Sequence, residues 1–237
     1  MKETVNYWNE VYEKKGLDKT LIGILEKYNK EVYFSTSLGL EDQVLLDKLV
    51  KLNQPFQIFT LDTGRLFQET YELWEKTERH YQIKIEPFFP NFQEVEKMVK
   101  EKGINLFYKS VENRKLCCAV RKLEPLSRAL KQAKIWLTGL RREQSPTRNE
   151  MKFAEWEEKY NLLKINPLID WSLEQVWDYV KKEKVPYNPL HDENFPSIGC
   201  APCTRAILPG EDIRAGRWWW ENPTTKECGL HISKTKS

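Results

Sequence analysis

Five cysteines carry the first chemical signal in the sequence. Cys200-Ala-Pro-Cys203 has the spacing for two ligands on one metal centre, with a proline stiffening the turn. Cys117 and Cys118 form a second, adjacent pair, and Cys228 stands alone near the end. By itself the Cys-x-x-Cys pair reads as a redox dithiol, a zinc half-site or coincidence. The adjacent pair discriminates. Neighbouring side chains diverge, so two successive thiolates reach one tetrahedral zinc only with strain, whereas an iron–sulfur cube offers four irons, one thiolate each. Four thiols kept reduced therefore favour a 4Fe–4S cluster over zinc. The plain alternative makes Cys117 and Cys118 small buried apolar residues at the start of a helix. A lone cysteine such as Cys228 is more often inert than catalytic. Its setting, Lys226-Glu-Cys-Gly-Leu-His231, shifts that balance, since lysine and histidine can stabilise a thiolate and Gly229 loosens the backbone.

These residues need elements to hold them. Residues 3–29 predict two short helices around Gly16, with Leu17, Leu21, Ile24, Leu25 and Tyr28 at helical spacing. Glu31–Ser35 reads as a strand running into Ser35-Thr-Ser-Leu-Gly39 and a helix from Glu41. Pro55–Leu61 reads as a second strand ending in Asp62-Thr-Gly-Arg65, followed by a helix from about Leu66 to His80. A third strand is expected at Ile83–Phe88, then a helix capped by Asn91 and closed by Gly103. Cys117 is expected to open a further helix that Pro125 kinks or restarts. Ala133–Thr138 predicts a fourth strand and Ile165–Ile169 a fifth. Ser172 and Gln175 form a capping box for a helix to about Lys184. The alternation predicts an α/β fold, a parallel sheet flanked by helices, ending in an irregular Cys-containing segment from about residue 195 to 237.

In such sheets ligands sit beyond the carboxyl ends of the strands, where Ser35–Asp42, Asp62–Arg65 and Gly139–Arg148 fall. A strand, a Ser/Gly loop and a helix N-terminus suit an anion, with N–H groups and hydroxyls aimed at it. The signal is weak, since Ser35-x-Ser37-x-Gly39 is neither a Walker loop nor a dinucleotide fingerprint.

The 237 residues predict one domain over 1–237. At 40% apolar and 31% charged they describe an ordinary soluble protein. No apolar run approaches a membrane span, and the charged start MKETVNYWNEVYEKK is no signal peptide. The expected compartment is the cytoplasm, where paired cysteines mean metal or redox chemistry before disulfides. A net charge of +3 is too weak to imply nucleic acid.

Taken together, STSLGLEDQVLL, TLDTGRLFQETY, LCCAVRKLEPL, WLTGLRREQSPTR, YNPLHDENFPSIGCAPCTRAI, GEDIRAGRWWWE and KECGLH closely resemble the assimilatory sulfonucleotide reductases, specifically the cluster-containing adenylylsulfate (APS) reductases. The resemblance runs over nearly the whole chain from Ser35. It departs at Gln68, where the family often has proline, and at Asn194-Phe195, where Gly-Tyr is more usual. It implies a nucleotide-hydrolase-like α/β fold that cleaves APS to sulfite and AMP in sulfate assimilation, with thioredoxin supplying electrons. It implies a 4Fe–4S cluster on Cys117, Cys118, Cys200 and Cys203, and Cys228 as the nucleophile. Ser35, Ser37 and the turn from Leu61 to Thr63 would hold the nucleotide. Lys122, Arg148, Arg214, Arg217 and His231 would meet the phosphosulfate, with Lys122 and His231 also counted among the catalytic groups. The residue types suit the reaction: cations must screen a sulfate before a thiolate can approach its sulfur, and guanidinium forks match oxyanions.

Plainer readings stand beside these. Lys122 and Arg148 would serve equally as solvated surface charges, Arg214 and Arg217 as partners of Glu211 or Asp212, and Trp218–Trp220 as packing. Three rival functions remain: reduction of the 3′-phosphorylated nucleotide (PAPS) or of both, an ATP pyrophosphatase, and a zinc-ribbon module gripping nucleic acid. The loop lacks the second glycine and closing serine of the pyrophosphatases, and near-neutral charge opposes nucleic acid. A homo-oligomer is compatible with the sequence.

Overall fold

The computed structural model describes residues 1–145 and 148–222. Cys228 and His231 lie outside the described residues. The chain gathers into two compact units. The first comprises residues 1–60, 68–86 and 130–189, and the second residues 61–67, 87–129 and the chain from Leu190 onward. Residues 190–222, with Cys200 and Cys203, therefore fold together with residues 61–67 and 87–129.

The first unit is built on a sheet. Helices α1 (Lys2–Lys15) and α2 (Leu17–Tyr28) are separated at Gly16, whose φ of 74° suits glycine. Strand β1 (Val32–Thr36) leads to α3 (Leu40–Lys51), and β2 (Gln57–Leu61) precedes α4 (Gln68–Tyr81). After β3 (Glu86–Phe88) the unit resumes with β4 (Ile135–Leu137), β5 (Ala154–Glu157) and β6 (Leu162–Ile165). The strand order is β3-β2-β1-β4-β6-β5. Strand β1 pairs in parallel with β2 and β4, and β4 in parallel with β6. Order reverses at β1, so the loop after it lies at a topological switch point, where open α/β sheets take ligands.

All three residues of β4 are buried, as expected of a strand covered on both faces. Ile135 and Leu137 join Val32, Phe34, Ile58, Leu163 and Ile165 of the sheet, and Leu21, Leu25, Val44, Leu45, Val176 and Val180 of the helices, in one core.

Two strand assignments need correction. The strand expected at Ile165–Ile169 runs instead over Leu162–Ile165, as β6. Pro167 has no N–H for a ladder, and Asn166 is buried with its side chain turned to Thr138 and the Lys152 carbonyl. An additional strand, β5, pairs antiparallel with β6 and makes the sheet mixed. Its Ala-Glu-Trp-Glu sequence is only half-buried, which left no apolar signature. Helix α8 (Leu173–Glu183) carries the capping box as expected, with Ser172 Oγ accepting from Gln175 N at 3.1 Å.

The second unit is helical. Asn91 caps α5 (Phe92–Lys102), which ends at Gly103 with φ 92°. Helix α6 (Val111–Cys118) starts at a Ser110 cap, so Cys117 and Cys118 close a helix instead of opening one. The sequence signal lay in Ser110, whose hydroxyl accepts from Asn113 N at 3.1 Å. Ahead of Pro125 the helix widens into a π turn over Ala119–Leu123, then continues as α7 (Glu124–Ala129). Proline cannot donate the expected hydrogen bond, and Glu124 N reaches back to Ala119 O instead. Among the described residues no helix is long and apolar enough to cross a membrane.

Candidate functional site

In the second unit the Asp62–Arg65 turn, the end of α6, the π turn and the Cys200–Cys203 loop converge. Asp62 accepts from Gly64 N at 2.8 Å, and Gly64 takes φ 67°, so a short Asp/Gly turn forms after β2. Buried Arg121 fixes that turn by donating to the Thr63 carbonyl at 2.6 Å. Ala201 N then donates to the Arg65 carbonyl at 2.8 Å, and Cys203 N to the Cys200 carbonyl at 2.9 Å. Thr204 steadies the loop by donating to the Cys200 carbonyl at 3.0 Å and accepting from Gly199 N at 3.2 Å. The segment around Arg217 is pinned alongside it. Trp218 N donates to the Cys203 carbonyl at 3.1 Å, and Arg217 Nη1 donates to Ser197 Oγ at 3.2 Å.

The result is a partly open pocket lined by all four of Cys117, Cys118, Cys200 and Cys203. Arg65, Arg114, Arg121, Lys122 and Arg217 bring five cations to the same wall, with Phe107, Pro202 and Trp218. Burial pushes the Cys203 thiol up to about 12, with the neighbouring Cys200 adding to the rise and Lys122 and Arg217 opposing it. Burial also raises Cys117, against the pull of Arg121, Lys122 and Arg65. As bare thiols these two stay protonated at neutral pH. Thr63 Oγ1 shares a hydrogen bond with Cys200 Sγ at 3.3 Å, either atom being able to donate, and accepts from Arg65 N at 3.2 Å. Among the described residues, no three His, Cys, Asp or Glu side chains converge as ligands of a single ion. The four sulfurs share a pocket without sharing a point.

Arg114 and Glu221 form a fully buried, two-pronged ion pair at 2.8 Å through both Nε and Nη2. The Trp218 ring lies 4.7 Å from the Arg114 guanidinium and 4.8 Å from that of Arg217. Trp219 and Trp220 pack edge-on to each other, and Trp220 edge-on to Tyr108. Trp218 is buried and Trp220 half-buried in these contacts, while Trp219 is exposed. Glu211 pairs with Arg205 at 2.8 Å, and Asp212 accepts from the Arg214 backbone N at 2.8 Å. Arg214 is half-buried and does not line the thiol pocket.

The first unit holds Ser35, Ser37 and Arg148. Ser35 Oγ accepts from Trp136 Nε1 at 2.7 Å. Ser37 donates to Asp42 Oδ2 through both its backbone N and its hydroxyl, each at 2.6 Å. Leu38, at φ 58°, has its N–H held by Thr36 Oγ1 at 3.0 Å. Gly139, after β4, approaches so closely that a Cβ there would be driven into Asp42 Oδ1. Burial raises the Asp42 carboxyl to about 6; bonds from Ser37 and the Gly139 backbone hold it down and Glu41 pushes it up. Arg148 is buried beside Gln144, to which Nη1 donates.

Within the second unit the structure thus brings Thr63, Lys122 and Arg217 to the four cysteines. Leu61 ends β2, one residue before the turn. Arg65, Arg114, Arg121 and Asp42 were not singled out from the sequence. Asp42 had one available signal: a carboxylate in the first turn of a helix, five residues after a serine, can fold back on the loop before it.

A family profile described as the phosphoadenosine phosphosulfate reductase domain matches residues 31–206. The chain is 56% identical over 200 residues to an adenosine 5′-phosphosulfate reductase of Allochromatium vinosum, covering 84% of this chain and 78% of that protein. It is 47% identical over 238 residues to one of Agrobacterium fabrum, covering 97% and 92%. Among solved structures, the phosphoadenylyl-sulfate (PAPS) reductase of Candida auris, in a phosphate complex, superposes with a TM-score of 0.71 at 28% identity, over 87% of this chain and 98% of that one. The Candida glabrata FMN adenylyltransferase shares the fold, with a TM-score of 0.55 at 16% identity, over 98% and 78%. With a family match over most of its length and close relatives aligned across nearly all of it, the chain belongs to the phosphoadenosine phosphosulfate reductase family, alongside its adenosine 5′-phosphosulfate reductases.

Proposed function

We propose that the chain reduces adenylylsulfate (APS) to sulfite and AMP, with thioredoxin as the electron donor and Cys228 as the nucleophile. The observation that carries the reading is the 47% identity to an adenosine 5′-phosphosulfate reductase over 97% of this chain. The Cys228 thiolate attacks the sulfur of the sulfate; the S–O bond to the nucleotide breaks, AMP leaves, and an S-sulfocysteine remains. A thioredoxin thiolate then attacks Cys228 Sγ, expelling sulfite with the electron pair and forming a mixed disulfide. The second thioredoxin thiol resolves it, restoring the Cys228 thiol and leaving oxidised thioredoxin. Lys122, Arg148, Arg214, Arg217 and His231 are assigned to the phosphosulfate, and Ser35, Ser37, Leu61 and Thr63 to the nucleotide.

Cys117, Cys118, Cys200 and Cys203 are assigned to a 4Fe–4S cluster. The donor set suits that group: four cysteine sulfurs line one pocket, one thiolate for each of four irons. Coordination would also deprotonate thiols that burial otherwise keeps neutral. When bound, the cluster supplies a fixed anchor and a local charge. Around it Lys122, Arg121 and Arg217 hold positive charge on the same wall.

The test is anaerobic purification, iron and acid-labile sulfide analysis, and mass spectrometry after APS is added without reductant. A sulfite adduct on Cys228, lost in Cys228→Ser, establishes substrate and nucleophile together. A colourless protein without sulfide removes the cluster; full-rate sulfite formation by Cys228→Ser removes the nucleophile. The similarity to the Candida auris PAPS reductase favours a second reading, use of PAPS as well, which a comparison of turnover with the two nucleotides decides.

A further inference from the structure

The Gly139–Arg148 loop carries Glu143 and Gln144 side by side, two side chains of nearly the same shape that differ in charge. The fold gives each a different arginine. Glu143 accepts from Arg141 Nη1 at 3.3 Å. Gln144 ends the short 3₁₀ turn Arg142–Gln144, and its Oε1 accepts from the Arg141 backbone N–H at 3.1 Å and from Arg148 Nη1. Both neighbours are donors, so the amide must face them with its oxygen, whose two lone pairs take one each.

Arg141 is the fixed end of this line of contacts. Its side chain is 2% exposed, with Nε donating to Glu41 Oε1 at 2.9 Å and Nη1 to the Trp171 carbonyl at 3.1 Å. Glu41 belongs to the first turn of α3. The Arg148 backbone is held as well, its N donating to the Ser145 carbonyl at 2.9 Å and its carbonyl accepting from Met151 N at 3.0 Å. A guanidinium already set in one orientation loses less freedom when an oxyanion arrives. The chemical type of the holder then matters. A carboxylate would grip the guanidinium harder but oppose its charge, whereas an amide oxygen grips it and adds no charge.

We infer that Gln144 is a positioning residue for the reaction: pinned by the Arg141 N–H, its amide oxygen aims the Arg148 guanidinium and leaves it its full charge for the phosphosulfate. The inference rests on the assignment of Arg148 in the reading above and deepens it. The carboxylate of the Glu-Gln pair serves the arginine of the scaffold, and the amide serves the arginine of the site.

Sulfite release from APS, with thioredoxin as reductant, is measured for the wild type, Gln144→Ala, Gln144→Glu, Arg148→Met and the Gln144→Ala/Arg148→Met double variant. Each is also melted, followed by circular dichroism. Alanine removes the acceptor; glutamate restores one for both N–H groups and adds a negative charge. Gln144→Ala is expected to melt about 2–4 °C lower, the size of one lost cap, and Gln144→Glu to return to the wild-type value. Both should lower kcat/KM for APS about tenfold, chiefly through KM. Beside Arg148→Met, the alanine should cost less than about twofold more, because no guanidinium is left to aim. A merely structural cap predicts that stability and kcat/KM return together in Gln144→Glu. That result overturns the positioning role, as does a Gln144→Ala loss of equal size with and without Arg148→Met. A Gln144→Glu protein that melts no higher than Gln144→Ala overturns it too, since the oxygen is then not bonded as inferred. Wild-type kcat/KM in Arg148→Met also removes the inference, while APS reduction itself stands. A wild type that releases no sulfite from APS overturns the APS reading and this inference together.

Discussion

The ion pair between Arg114 and Glu221 offers the sharpest test of how the second unit is held. Its side chains are 1% and 2% exposed, and two parallel N–H···O bonds of 2.8 Å join them across 107 positions of chain. A guanidinium cannot shed its proton to escape a buried site. Truncating Glu221 to Ala therefore strands a charge away from water, which costs about 3–5 kcal/mol. Truncating Arg114 to Met strands the carboxylate, but that group can neutralise itself by taking up a proton, so the cost should be smaller near neutral pH. Replacing both should cost much less than the two single losses combined, giving a coupling on the order of 2 kcal/mol or more. The assay is urea unfolding followed by circular dichroism and by tryptophan fluorescence, to which Trp218, packed against Arg114, contributes as one of nine tryptophans. Additive losses, or a Glu221→Ala loss below about 1 kcal/mol, would show that the pair is solvated and that something else fastens this segment.

Two further predictions follow from other parts of the structure. The Asp42 carboxyl is raised from 3.8 to about 6, which at about 1.4 kcal/mol per pH unit amounts to about 3 kcal/mol against the ionised folded state. A group whose folded pKa lies above its unfolded value adds stability as pH falls through 6 towards 3.8. Asp42→Asn should therefore melt higher than the wild type above pH 6 and lose that advantage by about pH 4; parallel melting curves across that range would refute the assignment. In the second unit, a Cβ at Gly199 would be driven into the Arg217 guanidinium and displace it from Ser197. Gly199→Ala should stay folded and raise KM for APS several-fold, and an unchanged KM would remove Arg217 from the substrate's contacts.

Local signals were legible where one stretch of chain decides the outcome. The Ser172–Gln175 capping box and the Asn91 to Gly103 helix follow from caps that bond within a few residues. The strand that became β5 was not legible, because an edge strand half-open to solvent does not need apolar alternation. The four cysteines were visible as a set from spacing alone, yet the cations around them were only partly so. Arg121 acts through a carbonyl 58 positions away, and Arg114 through a carboxylate 107 positions away. Nothing in either neighbourhood marks such a partner. The orientation of the Ser37 hydroxyl was invisible for a different reason: composition names a hydroxyl but not where its proton goes.

The π turn between Cys118 and Pro125 has a consequence for how this pocket can be altered. Such a turn is an α-helix holding one residue more than its ladder requires. Deleting a single position from Ala119 to Leu123 would let the helix close up as a regular one, at little cost to its hydrogen bonds. It would also rotate everything upstream by about 100° relative to everything downstream. Cys117 and Cys118 would then face a different direction from α7, although no cysteine had been changed. The thiols are thus phased by a length of chain, and a shortened variant should lose the pocket while keeping the helix.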